Sequence, residues 1–128
     1  MLTFTRLIVG LIAVLMALVG LGLWFALDQT APLLGLTPDP VLARSSIRAD
    51  NGTLFLTLSG LAAYAAIKLD RTAAMLCATM FLIAFSGRFL TMVIDGGIAE
   101  TMMPMLLEGG SAVILFAAAR SWNHEHAT

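Results

Sequence analysis

Charge is scarce in this sequence: 12% of residues are charged and 59% are apolar. A soluble domain carries about 25% charged residues. A compact globule of this size cannot hide so much apolar surface from water, whereas a bilayer solvates it. The formal net charge of −1 removes the basic face that a nucleic-acid partner needs. Cysteine occurs once, as Cys77, so no internal disulfide forms. In an apolar stretch this thiol reads as a small buried hydrophobe. Histidine is missing from every apolar run. His124 and His126 flank Glu125 in a polar tail, where solvent is their expected surrounding. Without an imidazole in the spans, b-type haem and His-ligated chlorophyll lose their usual ligand. No Walker loop, nucleophile–base arrangement or HExxH occurs. No catalytic residue, cofactor or metal site is assigned, and the chain is not expected to be an enzyme.

What is abundant is apolar length. Arg6 and Asp28 bound one run, Asp50 and Lys68 a second, Arg71 and Asp95 a third, Glu100 and Arg120 a fourth. A helix needs about 20 apolar residues to cross hydrocarbon. Only helices and closed barrels satisfy their backbone groups in lipid, and no strand-like alternation is present. The first run, Leu7–Leu27, exceeds the ~7–15 residues of a signal-peptide core and reads as a retained span. The expected fold is all-α: a polytopic, four-transmembrane-helix bundle in one membrane domain, 1–128. Its helices fall at approximately 5–28, 50–68, 72–95 and 99–120, with a loop over 29–49 and a tail over 121–128. Lys68–Arg71 is a tight turn, Asp95-Gly96-Gly97 a second one, and Pro104 is expected near the first turn of the last helix. The 29–49 connection carries Pro32, Pro38 and Pro40 together with several leucines, which suggests a segment on the membrane surface or capping the bundle.

Lys and Arg near the spans set orientation. With the N-terminus inside, the cytoplasmic side holds Arg6, Lys68, Arg71 and Arg120, against Arg44 and Arg48 outside. Both termini are therefore expected in the cytoplasm and the long loop in the periplasm, for a bacterial inner membrane.

Two charges interrupt the apolar runs. Arg88 precedes Asp95 and Glu108 follows Glu100, so both lie roughly 10–12 Å below the same turn on adjacent antiparallel helices. Charges at that depth usually face the bundle and pair, which predicts an Arg88–Glu108 ion pair. It is either an interhelical clamp or an anion or proton site. Asp50, Thr53 and Thr57 recur at helical spacing, Thr91 and Asp95 continue the face of Arg88, and Arg48 and Asn51 sit at the loop–helix junction. The candidate polar network is Arg48, Asp50, Asn51, Thr57, Arg88, Asp95 and Glu108; capping by Asp50 and routine Ser/Thr backbone bonding is the plainer account of its members. Gly10, Ala13, Ala17 and Gly20, with Ser59, Gly60 and Ala63, offer small-residue packing surfaces. Met102, Met103 and Met105 hold thioethers that Cu(I) accepts, but with no Cys or His beside them they read as apolar filling.

The segment Arg48-Ala49-Asp50-Asn51-Gly52-Thr53-Leu54-Phe55-Leu56 resembles an R-x-x-x-G-x-x-L block, with Phe55 at its last position and leucines on either side. Gly87-Arg88-Phe89-Leu90 leads to Asp95-Gly96, and Leu107-Glu108 follows in the last helix. Together these resemble a family of small four-helix bacterial membrane proteins, the domain-of-unknown-function family 4345. The resemblance covers nearly the whole chain. It implies the four-helix architecture and groups Arg48, Gly52, Arg88, Asp95 and Glu108 in one site. Asn51 departs from the small or aromatic residue the pattern suggests before the glycine. The expected role is an accessory, assembly or scaffold subunit of a larger membrane complex. The alternatives are small-ligand, anion or proton binding or transport at Arg88–Glu108, and, third, an intramembrane enzyme. Expected partners are the lipid bilayer and other membrane subunits or further copies of the chain.

Overall fold

A computed structural model describes residues 1–125, with side chains through Trp122. His124 and His126 therefore lie outside the described side chains. The described chain is helical almost throughout. Helix α1 spans Leu2–Phe25, α2 Leu27–Thr30, α3 Val41–Ser46, α4 Thr53–Lys68, α5 Arg71–Ile94 and α6 Ile98–Glu125. Three of these are long and apolar enough to cross a membrane: α1, α5 and the Ile98–Trp122 part of α6. Helix α4, at 16 residues, is shorter than a span by itself.

Helices α1 and α4 pack along each other, as do α5 and α6, and α4–α5 and α1–α6 contacts close the ring. The neighbours are antiparallel. Arg6 Nε donates to the Ala66 carbonyl, Ser59 Oγ to the Ala13 carbonyl, and Trp122 Nε1 to Thr5 Oγ1. The interior is built of small residues: Ala13, Ala62, Ala65, Ala74, Ala78, Ala112, Ala118 and Ala119 are all buried. Large apolar side chains such as Phe4, Leu7, Leu11 and Leu18 point outward. Alanine inside and leucine outside is the pattern of helices solvated by lipid, where close backbone approach supplies the attraction. Gly20 shows how close this is, because a Cβ there would stand 2.7 Å from Leu56 Cγ and 3.2 Å from the Leu56 backbone N.

The packed core is one-ended. It runs from Val9, Ala66, Ala73 and Trp122 at the end holding the termini to Phe81 and Ala112. Beyond that level α5 and α6 still pair with each other, but Leu90, Val93, Ile94, Met103, Leu106 and Leu107 are exposed. A second small core, Leu23, Leu27, Ala31 and Ile47, joins α1 to the connection that follows it.

That connection is not the loop expected over 29–49. Helix α1 stops at Phe25, short of residue 28, because Ala26 leaves helical geometry at φ −132°, ψ 51°. The chain folds back over Gly22, where a Cβ would meet Thr30 Oγ1 at 2.6 Å. A 3₁₀ turn, Ala31–Leu34, closes on Gly35. Leu27, Ala31, Leu34 and Leu36 pack beside Leu23 at the end of α1, while Leu33, Val41 and Leu42 remain exposed. Nor does a helix begin at residue 50. Helix α3 enters a π-helical segment, Ile47–Gly52, and passes directly into α4, so helical structure is unbroken from Val41 to Lys68.

The α4–α5 turn is set by two residues. Leu69 adopts the left-handed conformation at φ 54° and ends α4. Asp70 then caps α5, its Oδ1 accepting from the Ala73 amide at 2.7 Å. Gly96 and Gly97, both at positive φ, reverse the chain between α5 and α6. Pro104 is not in the first turn of α6. It is the seventh residue, inside the helix, where its missing N–H leaves the Glu100 carbonyl without its intrahelical donor. Replacing Asp70 by Ala should remove one α5 cap and cost about 1 kcal/mol, read as a lowered midpoint of thermal unfolding in detergent.

Candidate functional site

Arg88 and Glu108 lie on the inward stripes of α5 and α6. On α5 the stripe continues from buried Ala74, Cys77, Ala78 and Phe81 through half-buried Phe85 to Arg88. On α6 it runs back from Leu115 and Ala112 to Glu108 and Met105. Both charges therefore sit one to two turns beyond the end of the alanine core, on the side facing the bundle. Gly109 allows this approach, since a Cβ there would stand 3.1 Å from the Phe85 ring. Arg88 Nε donates to both carboxylate oxygens, at 2.8 and 2.9 Å. The grip is through the inner nitrogen, and Nη1 and Nη2 make no hydrogen bond among the described residues. The Arg88 side chain is 36% exposed and that of Glu108 17%. The Glu108 side chain is thus the more covered of the two, and the Arg88 donors beyond Nε are unspent among the described residues.

A second polar feature lies where α1 meets the π-helical segment. Trp24 Nε1 donates to the Arg48 carbonyl at 3.0 Å, and Arg48 Nε donates to the Trp24 carbonyl at 3.1 Å. This reciprocal clasp requires Gly52, one turn after Arg48. A Cβ at Gly52 would collide with Trp24 Nε1 and stand 2.5 Å from Cδ1. The π-helical segment covers both Arg48 and Gly52, and such single-turn insertions are frequent at functional sites. Nearby, the Arg44 fork meets Asp28 through two bonds, Nη1 to Oδ1 at 2.6 Å and Nη2 to Oδ2 at 3.2 Å, and Nη1 also reaches the Pro38 carbonyl at 3.2 Å. These bonds hold the Asp28 carboxyl below its ordinary 3.8, and raise Arg44 in turn. The pair ties both ends of the connection after α1. An open hollow of about 610 Å³ lies against Trp24, Arg44 and Arg48.

The seven sequence candidates do not form one network among the described residues. Arg88 and Glu108 meet. Arg48 joins Trp24 instead. Asp50, Thr57 and Asp95 are exposed, Asn51 is half-buried, and none of the four shares a side-chain hydrogen bond with the pair. The π-helical segment separates Arg48 from the regular α4 repeat, so residues at α-helical spacing across it do not share a face. Trp24 and the Asp28–Arg44 pair were missed by the sequence reading. The available signal was an aromatic residue at the end of the first apolar run, the usual place of an interfacial anchor, together with the R-x-x-x-G spacing. Among the described residues no cluster of His, Cys, Asp and Glu has the makings of a metal site.

An all-α bundle with helices apolar enough for a bilayer, carrying an ion pair on its inward stripes, is the class of protein this geometry defines. Over residues 4–119 the chain matches the family described as Domain of unknown function (DUF4345), and it belongs to that family. No curated protein and no solved structure matches the chain.

Two expectations follow. Arg88→Leu or Glu108→Leu alone strands one charge and should destabilise the protein by about 3–5 kcal/mol, whereas the double replacement should recover most of that loss; equilibrium unfolding of the four variants in detergent measures the coupling. Gly52→Ala should cost about 1–3 kcal/mol by overpacking against Trp24, and Gly60→Ala, in open space, should not; paired thermal unfolding curves compare them.

Proposed function

We propose that this protein is a four-span component of the bacterial inner membrane that serves as an accessory or assembly subunit of a larger membrane protein complex. Support for the fourth span comes from unbroken helical structure over Val41–Lys68 and from the place of α4 between α1 and α5. The observation that carries the subunit reading is the partly covered ion pair. Arg88 and Glu108 occupy inward positions beyond the continuous core, and both side chains keep partial exposure. A guanidinium with unspent donors within a span is costly in hydrocarbon. A helix from a neighbouring subunit, donating a carbonyl or carboxylate to Nη1 and Nη2, would complete it. The small-residue core leaves little room for a substrate path through a single copy.

A second reading rests on the same donors. A small anion could occupy Nη1 and Nη2, or a proton could transfer to Glu108, which would make this a binding or transport site.

Mild-detergent purification separates the two. A stoichiometric larger membrane protein, lost in the folded Arg88→Leu/Glu108→Leu double variant, supports the subunit role. A homo-oligomer that retains a small anion, with no other protein, overturns it. For topology, a reporter fused after Thr128 should read cytoplasmic and one inserted within the Asp39–Ser46 segment periplasmic, as the Lys/Arg distribution requires. Protease protection of the opposite sides would reverse the assignment.

A further inference from the structure

The hollow at the end of α1 has two unlike walls. Trp24 and Phe25 form one. Val41, Arg44, Ser45 and Arg48, at i, i+3, i+4 and i+7, form the other, as one face of α3 and the turn that follows. Arg44 is already engaged by Asp28, so it shapes the wall without offering free charge. Arg48 differs. Only its Nε is used, and Nη1 and Nη2 have no partner among the described residues. Ser45 Oγ likewise donates to nothing there. A guanidinium fork with a hydroxyl one turn away is a donor set matched to phosphate oxygens. Phe25 and Val41, 81% and 78% exposed, put bare apolar surface at the same rim. Trp24 supplies the amphipathic ring found where hydrocarbon meets headgroups.

We propose that this hollow binds the phosphate of an anionic phospholipid, with Arg48 Nη1 and Nη2 and Ser45 Oγ on the phosphate oxygens and an acyl chain against Phe25 and Val41. The apolar rim is what selects a lipid over a free anion, because a dissolved phosphate gains nothing from Phe25 or Val41. The clasp to Trp24 fixes the Arg48 stem at the wall of the hollow and leaves its outer nitrogens unspent. The site uses no atom of Arg88 or Glu108 and stands apart from the subunit reading.

Native mass spectrometry of the full chain in an uncharged detergent, with equal phosphatidylglycerol and phosphatidylcholine added, tests this. The wild type should retain the anionic lipid about five-fold more than the zwitterionic one, the preference expected for one basic residue. Ser45→Glu introduces a negative charge at an exposed position that makes no hydrogen bond, and should bring the ratio to about one without moving the thermal midpoint. Should Ser45→Glu fail to fold, Val41→Glu, on the same exposed wall, should give the same loss of preference. Equal retention of both lipids by the wild type overturns the proposal, as does an unchanged preference in the folded glutamate variant. Inorganic phosphate titrated into the same detergent and followed by ³¹P line broadening distinguishes the other source: phosphate binding without lipid preference also overturns it.

Discussion

In hydrocarbon, helices gain nothing by hiding leucine from one another, because the solvent is as apolar as the side chain. What holds them is contact at short range, and short range requires small residues between the axes. The alanines of α4, α5 and α6, with Ala13 and Gly20 on α1, provide that contact and set much else in the molecule. They bring the Ser59 hydroxyl within 2.8 Å of a carbonyl on α1. They also explain why the packed part ends where it does. Past Phe81 and Ala112 the inward positions hold no further alanine; they pass to Phe85, Arg88, Met105 and Glu108, and of these Met105 alone is buried.

The polar groups divide according to this packing. At the tight end their donors are spent within the bundle: Arg6 satisfies carbonyls of Ala66 and Ile67 near the last turn of α4, and the Trp122 indole donates to the Thr5 hydroxyl. A cation at a helix C-terminus also opposes the negative end of its dipole. At the open end two arginines keep unused donors: Arg88, paired with the Glu108 carboxylate, and Arg48, bonded to the Trp24 carbonyl. Groups that could recognise something else are thus found where the helices have not closed on each other.

Much of the architecture was legible because it rests on simple periodicities. Charges at the ends of apolar runs marked α1, α5 and α6, and two residues at equal depth below Asp95–Gly97 implied the Arg88–Glu108 contact. The region between Phe25 and Gly52 was not legible in the same way. Three prolines and a glycine read as loop, but each short helix there is held by neighbours distant in sequence: Ile47 by Leu23, Arg44 by Asp28, Arg48 by Trp24. The π-helical segment has no compositional mark, since its extra residue is absorbed by tertiary contact with Trp24 rather than by local preference. Pro104 misled for a related reason. Position near a helix start favours proline on average, yet the reversal at Gly96–Gly97 lets α6 begin at Ile98, one residue before the expected start, with Pro104 seventh in the helix.

The widened turn at Ile47–Gly52 also fixes a phase. An α-helix advances about 100° per residue, so one additional residue rotates everything before it by that angle relative to everything after. Helix α3 and helix α4 are consequently one rod with two azimuths. Along α4 the inward azimuth serves Leu58, Ala62 and Ala65; along α3 it is reset so that Arg44 looks at Asp28. Deleting a single residue inside the segment would restore a uniform helix and leave its length almost unchanged. It would nonetheless swing α3 by about a quarter turn and carry Arg44 and Arg48 away from their partners. In this stretch of chain, residue count governs direction more than residue identity does.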